Sequence, residues 1–302
     1  PVIDVNVPDV TNDTTPTISG TTDAEPGSEV SITVTDSAGN TQVLTTTVKA
    51  DGSFEVDVPV ALPEGPVKVD AEVKDPAGNI GKDSDNGVID ATAPSLTVDA
   101  PDNSNDSTPT LTGSTDAGEG SVVTLTVTDS AGATQVLTAT VKADGSYSVD
   151  VPQELAEGAY TVKAEVADPA GNKADATDTG SVDTTAAITV DAPDLSNDNT
   201  PLITGTTTDV EEGQVVTLTV TDSTGATQVL TTTVKADGTY EVEVPVALPE
   251  GKYTVDAEVN DKAGNNAKAS DDNAGKGNVI DTTAPVIDVN VPDVTNDTTP
   301  TI

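Results

Sequence analysis

VVTLTVTDSAGATQVLTATVKADGSYSVDV, residues 122–151, reads as three strands joined by two turns. Val123, Leu125 and Val127 alternate with Thr, so they share one face of an extended chain. The turn Asp129–Ser130–Ala131–Gly132 has Asp first and Gly fourth, the pattern of a type I turn closing a hairpin. Asp144–Gly145 predicts a second, tighter hairpin turn. The first two segments are rich in Val and Thr and the third carries Tyr and two Val, side chains that suit a pleated, half-buried surface.

Outward from this core, SLTVDA (95–100) reads as a first strand, PDNSNDSTP (101–109) as a loop and TLTGST (110–115) as a second strand. After residue 151 come the loop PQELAEG (152–158), the strand YTVKAEVAD (160–168), the turn PAGN (169–172) and a last strand before SVD (181–183). Seven short strands with turns every 8–12 residues predict an antiparallel β-sandwich of immunoglobulin type. Tyr160 and Tyr253 open the sixth strand, where either a tyrosine corner or an ordinary half-buried strand residue is expected; Val67 takes that place in the first copy.

The pattern recurs. The turns ADGS, ADGS and ADGT start at residues 50, 143 and 236, a spacing of 93, and Gly20, Gly113 and Gly205 keep step with them. A period of 20–50 residues would indicate a solenoid, whereas about 93 residues suffice for a small domain. The linker prolines divide the chain into repeat 1 (1–93), repeat 2 (94–186) and repeat 3 (187–284). Residues 285–302 duplicate residues 1–18 and are expected to be the first strands of a fourth repeat in a longer array. The expected fold class is therefore all-β, tandem immunoglobulin-like sandwiches in an elongated rod.

Composition narrows the function. The chain has 52 Asp and Glu against 12 Lys and Arg, a formal charge of −40. Such a surface repels nucleic acid and anionic membrane. No apolar run is long enough to span a bilayer. With no Cys there are no disulfides, and without His as well, zinc and copper sites are not expected. Small sandwiches whose apolar residues are mostly Val, Ile, Leu and Ala are marginal, so a stabilising metal is an attractive device. Asp, Asn and carbonyl oxygens are hard ligands that suit Ca2+.

Seven antiparallel strands put loops 1–2, 3–4 and 5–6 at the C-terminal end of a repeat and loops 2–3, 4–5 and 6–7 at its N-terminal end. Tandem stacking then brings acidic loops together. The first junction gathers Asp13 and Asp90 with Asp116, Asp168 and Asn172. The second gathers Asp106 and Asp183 with Asp209, Asp261 and Asn265. Asp198 and Asp281 occupy the same positions ahead of residues 285–302. Two carboxylates 4 Å apart repel by about 4 kcal/mol at an effective dielectric near 20, and a divalent ion reverses the sign. Against this, Asp and Asn are ordinary turn residues, and DSAG (36–39, 129–132) and DSTG (222–225) read as turns alone.

Other chemistry finds little support. DNSNDS (102–107) begins like an EF-hand loop, but the sixth position is Ser107 and the twelfth Gly113. There is no His, no Cys and no phosphate-binding Gly-rich loop, so no enzyme and no small-molecule substrate are expected. A glycan- or surface-binding module is the alternative, but such sites usually present exposed aromatics, and this chain has one Phe, four Tyr and no Trp.

DTTAP (281–285) and TNDTTPTI (295–302), with VTDSAGN (34–40), ADGS and DPAGN in fixed order, resemble the bacterial Ig-like repeats of giant RTX adhesins secreted by the type I route, which include large biofilm and ice-binding adhesins. The resemblance covers all three repeats. It implies an extracellular, surface-anchored extender, stiffened by calcium at its junctions, that holds a distal ligand-binding module away from the cell. The family's linker Asp falls on Asp90, Asp183 and Asp281. The implied partners are neighbouring repeats of the same chain, and a monomer is expected. Two departures stand out: the second linker, DTTAAITV (183–190), lacks Pro and is one residue shorter, and repeat 3 has five extra residues before Asp281, ending in AGKGN (274–278).

Overall fold

Val–Thr alternation marks the central strands, and each of repeats 1 to 3 closes into two facing sheets. The computed structural model describes residues 1–289 and 298, and the chain divides into two compact units, 1–182 and 183–302. In the first repeat the elements are β1 (Ile3–Asn6), β2 (Val10–Thr11), β3 (Thr17–Thr22), β4 (Glu29–Thr35), β5 (Thr41–Thr47), β6 (Ser53–Asp57), β7 (Gly65–Lys74) and β8 (Ile80–Ile89). One sheet has the order β1-β3-β6 and the other β2-β8-β7-β4-β5. The second repeat contains β9 (Leu96–Asp99), β10 (Thr110–Thr115), β11 (Val122–Thr128), β12 (Thr134–Thr140), β13 (Ser146–Asp150), β14 (Gly158–Ala167) and β15 (Lys173–Val182). Its sheets are β13-β10-β9 and β12-β11-β14-β15.

The unit 183–302 repeats this plan with β16 (Ala187–Ile188), β17 (Leu195–Ser196), β18 (Leu202–Thr208), β19 (Val215–Thr221), β20 (Thr227–Thr233), β21 (Thr239–Glu243), β22 (Gly251–Asn260), β23 (Asn266–Asp271) and β24 (Asn278–Ile280). Each repeat has its own apolar cluster. Val123, Leu125 and Val127 lie fully inside the second. Burying each such side chain stabilises by about 1.5–3 kcal/mol.

The expected first strand and loop differ from what forms. The opening segment crosses from one sheet to the other. β1 pairs antiparallel with β3, then β2 pairs parallel with β8 in the facing sheet. Ser104 makes the equivalent parallel bridge to Val182, and β17 does so with β24. The loop reading of 101–109 therefore missed a pairing segment. The crossover falls at Pro8, Pro101 and Pro193, residues with no N–H to leave unpaired. Carboxylates from the last strand seal the gap beside it. Asp83 and Asp85 accept the Val5 and Val7 amides at 2.9 Å each, Asp178 accepts Ala100 at 2.8 Å and Asp271 accepts Ala192 at 2.7 Å.

The tyrosines also depart from expectation. Tyr160 and Tyr253 are 1% exposed, so they are not half-buried strand residues. Their hydroxyls donate to Pro101 O at 3.1 Å and Pro193 O at 3.0 Å, on the crossover, rather than to a carbonyl just upstream as a tyrosine corner requires. A second buried pair, Tyr147 and Tyr240, donates to Thr97 O and Thr189 O. Each ring of that pair lies under a glycine: a Cβ on Gly113 would stand 2.3 Å from both Thr97 O and the Tyr147 hydroxyl. The landmark glycines thus mark close approach of ring and backbone.

The five-residue insertion in repeat 3 splits the last strand into β23 and β24. Asn273 and Ala274 adopt positive φ of 50° and 54° in the intervening turn. Pairing then resumes with Gly251 opposite Ile280, as Gly65 stands opposite Ile89. The extra residues are absorbed before the linker. Residues 281–289 carry no strand, and the remainder of the expected fourth repeat, apart from residue 298, lies outside the described residues.

Candidate cation site at the linkers

The first linker leaves β8 held by its own repeat. The Asp90 amide donates to Thr11 O at 2.9 Å. Just ahead of β7, Glu64 Oε1 accepts the Ala91 amide at 3.1 Å and the Thr92 hydroxyl at 2.5 Å. Asp90 Oδ1 accepts the Thr92 amide at 3.3 Å. Two carboxylates therefore face one short stretch of linker.

The turn 168–172 between β14 and β15 meets this linker. Asn172 donates its amide to Asp168 Oδ1 and its Nδ2 to Asp168 Oδ2, both at 2.9 Å. The same Nδ2 donates to Asp90 O at 2.8 Å, and the Asn12 amide reaches Ala170 O at 3.3 Å. Asn172 thus ties a linker carbonyl to a carboxylate of the following repeat. Desolvation pushes the Asp168 carboxyl up, but bonds from the Asn172 side chain and from the Asn172, Gly171 and Ala170 amides prevail and hold it below the usual range. Asp75 with Asn79 forms the same turn in repeat 1.

Residues 183–302 repeat the arrangement. Asn265 Nδ2 donates to Asp183 O and to Asp261 Oδ2, each at 2.7 Å. Asp261 Oδ1 accepts the Gly264 amide at 2.7 Å and the Asn265 amide at 2.8 Å, and Asp261 is 5% exposed. At the third linker the Asp281 amide donates to Ser196 O at 2.9 Å, and Glu250 Oε1 accepts from the Thr282 amide at 2.9 Å and from both threonine hydroxyls.

The other nominated residues are engaged closer to home. Asp13, Asp106 and Asp198 each accept the amide and hydroxyl of the Thr two residues on. Those bonds, backbone first, hold the Asp106 and Asp198 carboxyls below the usual range. Asp116 accepts the Ser95 amide at 2.7 Å, and Asp209 accepts the Thr185 hydroxyl at 3.5 Å. Asp36, Asp129 and Asp222 cap their own hairpin turns, in keeping with the turn reading. Glu64 and Glu250 were not nominated from sequence. Their signal was the Glu–Gly pair ending each 5–6 loop, at the end of the repeat where the linker begins.

Among the described residues no three carboxylates form a ready-made ion cage. An ion here would need carbonyls and water as well. The donor chemistry nevertheless fits a hard cation: Asp90, Glu64 and Asp168 present only oxygens, and Asp168 titrates below the usual range. All seven Lys–carboxylate pairs among the described residues lie elsewhere, so no lysine neutralises these three. Zinc, which favours nitrogen and sulfur, does not fit.

A family model described as bacterial Ig-like domain matches residues 5–91, 90–184 and 185–282. Among solved structures, the chain is similar to a tetra-tandem repeat in the extending region of a large adhesion protein. The identity is 38% over 93% of this chain and 74% of that one, with a TM-score of 0.37. It is 27% identical to a Ca2+-stabilised adhesin with which an Antarctic bacterium reaches out and binds ice, over 94% of this chain and 75% of that one, TM-score 0.36. A 1.5-MDa bacterial ice-binding adhesin, described for its retention at the host cell surface, is 24% identical over 89% of this chain and 97% of that one, TM-score 0.36. Among curated proteins no relative matches.

Proposed function

Since the chain belongs to the bacterial Ig-like domain family and repeats that domain in tandem, we propose that it is a non-catalytic, calcium-stabilised extender of a bacterial cell-surface adhesin. Its task is spacing: the repeats project a distal ligand-binding module away from the cell. The observation that carries this reading is the recurring clasp of Asn172 on the Asp90 carbonyl and Asn265 on the Asp183 carbonyl. A turn that grips a linker in this way limits hinge motion, and Asp90, Glu64 and Asp168, which no lysine pairs with among the described residues, are where calcium adds most.

In this reading Asp90, Asp168 and Glu64 hold calcium at the first linker, with Asn172 orienting Asp168. Asp183 and Asp261, with Asn265, serve the second linker, and Asp281 with Glu250 the third. Asp13, Asp106, Asp198, Asp116 and Asp209 supply further oxygens from their loops. Calcium binding the folded state alone stabilises it by mass action. Small-angle X-ray scattering tests the proposal: a stiff, extended particle in calcium should become flexible in EDTA. Asp90→Ala should loosen the first junction while repeat 1 stays folded. Identical scattering in calcium and EDTA would remove calcium from the reading.

A further inference from the structure

In the first repeat three of four sheet edges are blunted and one is open. The β1 edge is capped by Asp83 and Asp85. β2 is two residues long. β6 carries Glu55 and Asp57, and Glu55 pairs with Lys49 at 2.8 Å. Natural sheets use such devices to prevent edge-to-edge pairing. The fourth edge, β5, has the sequence TQVLTTT (41–47), with no charge, no Pro and no Gly. β12, TQVLTAT (134–140), and β20, TQVLTTT (227–233), keep the same character.

Among the described residues β5 pairs its backbone only with β4, while its Gln42 and Thr46 side chains donate to Val60 O at 2.8 Å and Glu55 O at 2.9 Å. Bonds from Asp36 N to Asn40 O and from Val48 N to Ser28 O set the antiparallel alternation. Gln42, Leu44 and Thr46 therefore exchange bonds with β4, and the N–H and C=O groups of Thr41, Val43, Thr45 and Thr47 point outward. Val43, Val136 and Val229, at one position of the three strands, are 67%, 68% and 66% exposed.

We propose that these open strands are self-association sites that pair antiparallel with the same strand of a second copy of this chain. A register centred on Leu44 sets Thr41 opposite Thr47 of the second copy and Val43 opposite its Thr45. Every outward donor and acceptor then finds a partner in one two-fold interface. Charge confines where two copies can meet. Two chains of −40 repel over most of their surfaces, and an uncharged strand is where they approach at least cost. The strand offers no charge to attract an acidic or basic partner, and each copy supplies three matching edges.

The experiment is light scattering of the full chain in constant calcium over a concentration series, with amide hydrogen exchange at its two ends. The expected result is a rise from one-chain to two-chain mass, with slowed exchange at Val43 and Thr45 and at their counterparts in the other repeats. Val43→Lys, Val136→Lys and Val229→Lys combined should restore the one-chain mass, even though added positive charge lessens the general repulsion. The triple Val→Thr variant, which keeps a neutral β-forming edge, should still associate. A one-chain mass at every concentration overturns the proposal. So does association unchanged in the lysine variant, or exchange protection confined to another surface. The site is exposed, so the substitutions leave the core intact, and exchange on the unmodified chain decides independently of them.

Discussion

Replacing Asn172 by Ala tests whether the clasp on the linker holds two repeats together. The side chain makes two bonds, to Asp168 Oδ2 at 2.9 Å within its own turn and to Asp90 O at 2.8 Å on the linker. Repeat 1 contains the needed reference. Asn79 makes the same turn bond to Asp75 Oδ2 at 2.8 Å and, among the described residues, donates to no linker carbonyl. Asn79→Ala therefore measures the turn alone, and the difference between the two variants isolates the linker bond. A net hydrogen bond of this neutral kind contributes about 0.5–1.5 kcal/mol. The assay is amide exchange of Asn12, whose N–H reaches Ala170 O across the same junction at 3.3 Å. If opening the junction exposes that amide, Asn172→Ala should speed its exchange about 2–13-fold, the factor equivalent to that energy. Asn79→Ala should leave it unchanged. Equal effects from both variants, or an Asn12 amide indifferent to Asn172→Ala, would refute the clasp.

Calcium removal should lower stability: near 10 mM ion, sites with dissociation constants of about 10⁻⁴–10⁻³ M contribute about 1.4–2.7 kcal/mol each, read as a shift in urea midpoint between calcium and EDTA. Unmoved midpoints would count against the sites. Alkali should act on repeats 2 and 3 before repeat 1. Burial pushes Tyr147, Tyr160, Tyr240 and Tyr253 up to about 12, whereas repeat 1 has Phe54 and Val67 in their places. A raised folded value means stability fully present below about pH 10 and lost as pH rises toward 12, on the order of 1–2 kcal/mol per tyrosine after solvent screening. Tyrosinate absorbance followed alongside circular dichroism reads this, and ionisation near pH 10 with the sheets intact would contradict it. Gly113→Ala should destabilise repeat 2 by about 1–3 kcal/mol, since its Cβ would overlap Thr97 O and the Tyr147 hydroxyl. Denaturation that leaves repeat 2 as stable as before would show that the ring can move aside.

Much of this protein was legible in its residues. Alternation in 122–128, the Asp–Gly turns and the 93-residue spacing follow from local rules, because strand period and turn conformation depend on near neighbours. The same reading placed Asp90, Asp168 and Asn172 at one end-to-end meeting, where the fold does join Asn172 to the other two. It could not see that the first strand changes sheets at Pro8, Pro101 and Pro193, since that depends on which strand lies opposite across the sandwich. Tyr160 was assigned either a local partner or none, and finds Pro101 O instead, 59 residues away in sequence. Glu64 gained its place only through the return of the linker beside its loop. Tertiary structure also decided which edges are capped: Asp83 and Asp85 guard β1 from the far sheet, while among the described residues no carboxylate accepts an outward amide of β5. Local sequence sets which groups a strand offers, and only the packing of distant strands settles which of them remain without a partner.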